Sequence, residues 1–265
     1  MDFRLSLLGG AVEKRYRALR PDVAPLDLAA LDVSRHDPAE IAAAREIWLQ
    51  ATLAEHHSAE AAAATARAMI GAQAPVDLAA LAARFAIDEL LHAELCARVA
   101  AALGEAPGSR ARPQRPALSP PPGCRPLLRA AWLCVRHFCI GEAVSAPILK
   151  ATAVGASHPV LQKLFELLAR DEAQHAQLGW DYLDVVIDDL SADERDGILT
   201  EVAQETLAAW IASWPAPGGD PNPLGGLAPE PYRAIASRAV DDVVQSLSSY
   251  GIALRLAERG TAAAR

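Results

Sequence analysis

Two short words carry most of the chemistry legible in this chain: Asp88-Glu89-Leu90-Leu91-His92 and Asp171-Glu172-Ala173-Gln174-His175. Each has the form Asp-Glu-x-x-His inside an apolar, Ala-rich run that reads as helix. Residues three and four apart share a helix face, so the Glu and Asp of each word project with its His. Composition alone would supply roughly 0.03 copies, and no other Glu in the chain has a His three residues on. Carboxylate and imidazole on one face are hard and borderline donors, the set that divalent first-row metals take.

The elements that must position these words can be read from periodicity and punctuation. The chain has 265 residues, 52% of them hydrophobic, enough to bury a core. Glycine is sparse inside the long periodic runs, which predicts an all-α class. A short helix is expected over residues 11–20 and a loop over 21–36. Asp37-Pro38 reads as an N-cap with proline at the first helical position, opening a helix to about residue 71. A second helix runs from about 77 to 103. Residues 104–125 hold six prolines and read as a connector. Further helices are expected over 126–153, with a kink near Pro147, then 160–189, 192–214 and 230–258. His158 is expected as a cap or loop residue. The middle of the chain is therefore hairpin, long connector, hairpin. Its domains read as an N-terminal extension (1–36), a helical bundle (37–190) and two C-terminal helices (191–265) that pack on the bundle or form an oligomer interface.

If the hairpins form one bundle, each should add a carboxylate from its first helix at the depth of its word. Glu142 lies 15 residues before the second turn and Glu172 lies 15 after it. Glu55 stands similarly opposite Glu89; Glu60, its rival, would sit roughly 7 Å out of register at 1.5 Å per residue. These charged residues fall on apolar stripes, such as Leu161, Phe165, Leu168, Glu172, His175 and Gly179, where a solvated carboxylate does not belong. Four buried carboxylates would repel one another, and two divalent cations would bring four carboxylates and two neutral imidazoles to zero formal charge. Metal-bound His commonly donates its other N–H to a carboxylate, so Asp88 and Asp171 are expected behind the histidines, each reaching across to the other helix. His56 and His57 point away from the Glu55 face and are expected to be exposed. The Arg110, Arg112 and Arg115 cluster reads as solvated, or as a receiver for an anionic partner.

The set Glu55, Glu89, His92, Glu142, Glu172 and His175 resembles the ferritin-like di-iron carboxylate superfamily over residues 38–190. The resemblance implies an antiparallel four-helix bundle with a long crossover, here with additional C-terminal helices. It implies two iron ions, with manganese or a mixed Mn/Fe pair fitting the same donors. Several branches of that superfamily fit poorly. Cys96 stands where radical-forming reductase subunits place a tyrosine. The four Cys form no CxxC pair, unlike rubrerythrins. Leu168 stands where amine N-oxygenases place a seventh ligand. Ala146, with Ser145 beside it, stands where multicomponent hydroxylases place a Thr.

The activity the resemblance implies first is that of an O2-activating oxidase or oxygenase acting on a small organic molecule, with a reductase or ferredoxin as electron donor. Small residues around Glu142 (Gly141, Ala143, Ser145, Ala146) would leave room beside the metals, or simply allow close helix packing. A ferroxidase or peroxide-scavenging iron-handling protein is the second reading, and a metal-stabilised helical interaction module the third. A net charge of −8 argues against nucleic-acid binding. Reduced cysteines, a poor match to a secretion signal and no uncharged apolar run of about 18 residues lead to the expectation of a cytoplasmic protein without a membrane span, and a homodimer is an option.

Overall fold

The computed structural model describes residues 5–23, 26–104 and 120–254. The chain is all-helical, and the long elements begin where capping chemistry places them. Helix α1 spans Gly10–Arg17. Helix α2 spans Pro38–Gly71, and Asp37 closes a capping box at its start: its carboxylate accepts from the Ala39 N–H at 2.7 Å, and the Glu40 carboxylate accepts from the Asp37 N–H. Gln73, at φ 54°, turns the chain into α3, Val76–Ala102. Helix α4 spans Pro126–Leu133, runs through a π-helical segment at Cys134–Glu142 and continues as α5, Ala143–Gly155. Helix α6 spans Pro159–Val186, and His158 caps it by accepting from the Val160 N–H at 3.2 Å. Helices α7 (Thr200–Ala212) and α8 (Pro229–Ser249) follow.

Helices α2 and α3 pair along their length, as do α6 and the α4–π–α5 rod, while α3 lies against α6 and α2 against α4. The apolar core is cut in two by a polar layer. On one side lie Trp48, Leu91, Leu95, Cys96, Leu161 and Phe165; on the other, Met69, Phe85, Phe138, Leu178 and Tyr182. Leu199, Val202 and Leu207 of the C-terminal third join the second cluster, as do Val240, Val243 and Leu247, with α7 seated on the π segment and α8 on α5. The loop before α8 returns to α2, where the Trp48 indole N–H donates to the Leu224 carbonyl at 2.8 Å.

Three expectations need correcting. The departure from α-geometry lies at 134–142, before Pro147, which sits within α5. The last helix stops at Ser249, not 258, because Gly251 turns left-handed (φ 76°). His56 and His57 are half-buried, the His57 ring lying 6.1 Å from that of His137. The Arg110, Arg112 and Arg115 cluster and most of the proline-rich connector lie outside the described residues. By length and hydropathy alone, Pro126–Gly155 would suffice to cross a membrane. Its apolar side chains are the ones that meet α2, α6, α7 and α8.

Candidate metal centre

The polar layer consists of the six residues singled out by spacing. Helix α2 brings Glu55, α3 brings Glu89 and His92, the last position of the π segment brings Glu142, and α6 brings Glu172 and His175. Glu89, His92, Glu142, Glu172 and His175 are buried, and the Glu55 side chain is 15% exposed. Glu60 is exposed and faces His57 instead.

Their donor atoms gather into two overlapping groups, each within 4.8 Å: Glu55, Glu89, His92 and Glu172; and Glu89, Glu142, Glu172 and His175. Glu89 and Glu172 belong to both, so they form the middle of the layer. The His92 Nδ1 lies 3.2 Å from Glu172, 3.4 Å from Glu89 and 3.6 Å from Glu55. The His175 Nδ1 lies 2.8 Å from both Glu89 and Glu172. The two imidazoles are stacked with centroids 6.0 Å apart.

Local structure explains how the helices come close enough. Gly179 sits one turn beyond His175. A Cβ there would lie 2.6 Å from the Cys139 Sγ, 2.9 Å from the Cys139 backbone N and 2.9 Å from the Phe138 Cβ. The missing side chain lets the π segment press on α6 and carry Glu142 inward. π-Helical turns recur at functional sites because they re-aim a side chain within a continuous helix. The Ser145 hydroxyl donates to the Glu142 carbonyl at 3.1 Å, with the Glu142 Oε2 at 3.4 Å.

The histidines are held from behind by the opposite helix. Asp171 of α6 meets the Nε2 of His92 at 3.2 Å, and Asp88 of α3 faces the Nε2 of His175 at 3.6 Å. This crossed arrangement is the one expected from the spacing. The Asp171 contact favours the proton at the His92 Nε2, whereas Asp88 stands beyond hydrogen-bond reach of the His175 Nε2; both Nδ1 atoms face the glutamates.

Without cations, the layer can be buried only by holding protons. Burial, with Glu172 and Glu89 as neighbours, pushes Glu55 up to about 8 and Glu142 well above the carboxylate range. Burial opposes charging His175, yet Glu172 and Glu89 outweigh it and raise the imidazole to about 10. His92 is raised in the same way by Asp171, Glu172, Glu55 and Glu89. Glu89 is held low, against its burial, by the two imidazoles. Even so, the Glu89 Oε2, the His92 Nδ1 and the His175 Nε2 remain buried without a hydrogen-bond partner. An unpartnered Oε2 and Nδ1 among shared carboxylates are what a set of metal ligands looks like, and two divalent ions would replace the protons and balance the charge.

Spacing gave no sign of Arg20. It comes from the N-terminal segment, is 5% exposed, and donates to Asp88 at 2.8 Å and to Asp171 at 2.9 Å. Arg84 also pairs with Asp88, and Arg170 with Asp171. Arg17 forms a two-pronged pair with the buried Glu94 of α3. These contacts span 68, 151 and 77 residues, and nothing local marks them. Comparison with family models, with curated proteins and with solved structures returned no match.

Proposed function

We propose that this chain is a ferritin-like di-metal carboxylate protein that takes two iron ions and oxidises a small organic substrate with O2. The observation that carries this is the pair of overlapping donor groups sharing Glu89 and Glu172. One ion would take Glu55 and His92 with the shared pair, the other Glu142 and His175 with the same pair. Manganese, or one ion of each kind, fits the same oxygen-and-imidazole donors. Four side chains per ion, two of them shared, would hold the pair while leaving room for a further ligand.

Iron(II) bound there would supply the electrons for reducing O2, the hard chemistry that a cofactor brings to a protein. The chain's own residues would bind, orient and insulate. Glu89 and Glu172 hold the centre as carboxylates between the imidazoles. Asp171 favours the proton on the His92 Nε2, with Asp88 behind the His175 ring, and both Nδ1 atoms face inward. The apolar clusters on both sides exclude water. Gly141, Ser145 and Ala146 are half-buried and put little bulk around Glu142, the flank a small substrate would use.

The partial exposure of Glu55 favours a second reading, an iron-handling protein that oxidises Fe2+ arriving from solvent. One experiment addresses both. Metal content is measured after iron-supplemented expression, wild type beside Glu172→Ala, followed by O2 uptake of the anaerobically loaded protein. About two irons per chain, lost in the variant, with uptake that stops after the bound iron is oxidised, supports the oxidase awaiting its substrate and donor. Uptake that continues with excess Fe2+ supports iron handling. Two irons with no O2-dependent oxidation refutes both, and no metal refutes the site.

A further inference from the structure

The N-terminal segment contributes no donor to the layer, yet one of its side chains ends directly behind both histidines. Arg20 is buried on the bundle with its guanidinium between α3 and α6. Nη1 donates to the Asp88 Oδ1 at 2.8 Å and Nη2 to the Asp171 Oδ2 at 2.9 Å. Asp22, two residues on, takes Nε at 3.0 Å and Nη2 at 2.9 Å, which fixes the plane of the fork. Only a planar fork reaches both carboxylates; a lysine, with one compact ammonium, would satisfy one. The same Asp171 oxygen meets the His92 Nε2 at 3.2 Å, and the other Asp88 oxygen stands 3.6 Å from the His175 Nε2, an ion-pair separation rather than a hydrogen bond.

We propose that Arg20 is a positioning residue for the metal centre: one guanidinium, delivered by the N-terminal segment, sets the aim of both histidines at once through Asp88 and Asp171. This inference rests on the metal-centre reading. It goes beyond that reading because it makes the segment before residue 37 part of the site. The aspartates are buried beside four glutamates, and with Arg20 gone their remaining cations would be Arg84 and Arg170, which pair with them from the half-exposed side and would draw them away from the bundle axis. That turn would release the imidazoles. Arg20 therefore acts on both ions together, whereas any single ligand outside the shared pair acts on one.

An ordinary structural tie is the competing explanation, and Arg17 supplies the control. It also joins the N-terminal segment to α3, through the buried Glu94, but Glu94 has no contact with either histidine among the described residues. The full-length chain is titrated anaerobically with Co2+ alone, in competition with a chelator, and the visible absorption of the bound Co2+ is recorded. Arg20→Met is expected to weaken binding about 10- to 100-fold, the usual cost of losing a group that orients metal ligands, and to alter the Co2+ spectrum. Arg17→Met is expected to lower the thermal midpoint of the metal-free protein while leaving affinity and spectrum as in wild type. Arg20→Lys keeps the charge and the fold, reaches one aspartate, and is expected to separate the two Co2+ equivalents into a tight and a weak one; it carries the test if Arg20→Met does not fold. Wild-type affinity and spectrum in the Arg20 variants, or an equal loss in Arg17→Met, overturns the proposal. A wild-type chain that takes up no Co2+ overturns the metal-centre reading itself, and the role of Arg20 falls with it.

Discussion

Gly179→Ala tests whether close approach of the π segment to α6 is what brings Glu142 to the centre. Two effects oppose each other. Replacing a glycine inside a helix by alanine gains about 1 kcal/mol from backbone entropy. Against this, the new methyl would stand 2.6 Å from the Cys139 Sγ and 2.9 Å from both the Cys139 N and the Phe138 Cβ. Two of those atoms lie on or next to the backbone and cannot rotate away. Restoring an ordinary contact requires the π segment to retreat by roughly 0.8 Å, and overpacking of this kind costs about 1–3 kcal/mol. The clash wins, for a net loss of about 1 kcal/mol. In a chain of this size that is a fall in thermal midpoint of about 2–4 °C. Functionally, Glu142 lies three residues beyond Cys139 and belongs to one donor group only. Metal content should therefore fall from two ions toward one, with the His92 group still filled. Differential scanning calorimetry and elemental analysis read both quantities. Gly197→Ala, in the helical turn Glu194–Leu199 where a Cβ meets nothing within 4 Å, is the control: it keeps the entropy gain without the clash, so its midpoint should rise slightly and its metal content stay at two. Adding Cys139→Ala removes the sulfur but not the backbone contact and should restore part of the loss. A Gly179→Ala protein with wild-type midpoint and two ions would refute the reasoning.

Three further outcomes are expected. Glu55→Gln should lose one of the two ions, while Glu60→Gln, altering an exposed side chain, should keep both; equal metal content in the two variants would return Glu60 to contention. For the metal-free protein, Glu55 titrates near 8 instead of 4.5, so stability falls as pH rises through that window, and His175 titrates near 10 instead of 6.5, so its favourable charge is lost from 6.5 upward. The metal-free midpoint should thus fall between about pH 6 and 9, while the increment from added metal grows because ligation needs those protons gone; an increment that shrinks with pH in thermal scans would contradict the charge assignment. Gly225→Ala would set a methyl 2.9 Å from the Trp48 Nε1 and break its bond to Leu224, lowering the midpoint by about 2–8 °C while metal content stays at two; loss of metal would mean that the loop shapes the site.

The parts of this site legible in the sequence are those governed by local rules. A Glu and a His three apart share a helix face whatever the tertiary structure, so both words could be read at once. Helix starts were legible at Asp37 and His158 because caps are local hydrogen bonds. Counting outward from a turn placed Glu142 opposite Glu172 because hairpin helices rise at nearly equal rates. What escaped was non-local or non-α. The π segment has no marker in Cys134–Glu142, and its partner, Gly179, reads as one more small residue on a stripe until a second helix is laid against it. Arg20 is separated from Asp88 by 68 residues and from Asp171 by 151. Its neighbours Arg15 and Arg17 look the same in sequence, and only the fold singles out the one that reaches Asp88 and Asp171. The last helix is shorter than the expected 230–258 because Gly251 ends it in a left-handed turn, and a lone glycine in an apolar run does not by itself mark such an end.

Electrostatics gives an independent reason to read the layer as a site. Replacing a buried charged cluster by well-packed apolar residues is often neutral or stabilising, so such a cluster is weak ground for stability. Here it splits one core into two, orphans the Glu89 Oε2 and the His92 Nδ1, and keeps Glu55 and Glu142 protonated well outside their ordinary range. A purely structural network would satisfy its own donors and acceptors. In this one Arg20 ties Asp88 to Asp171 behind the histidines, while the inner half is neutralised only by protons held on Glu55, Glu142 and the imidazoles. Glu89 and Glu172, common to both donor groups, lie between those protonated groups, and two divalent cations would take the protons' place.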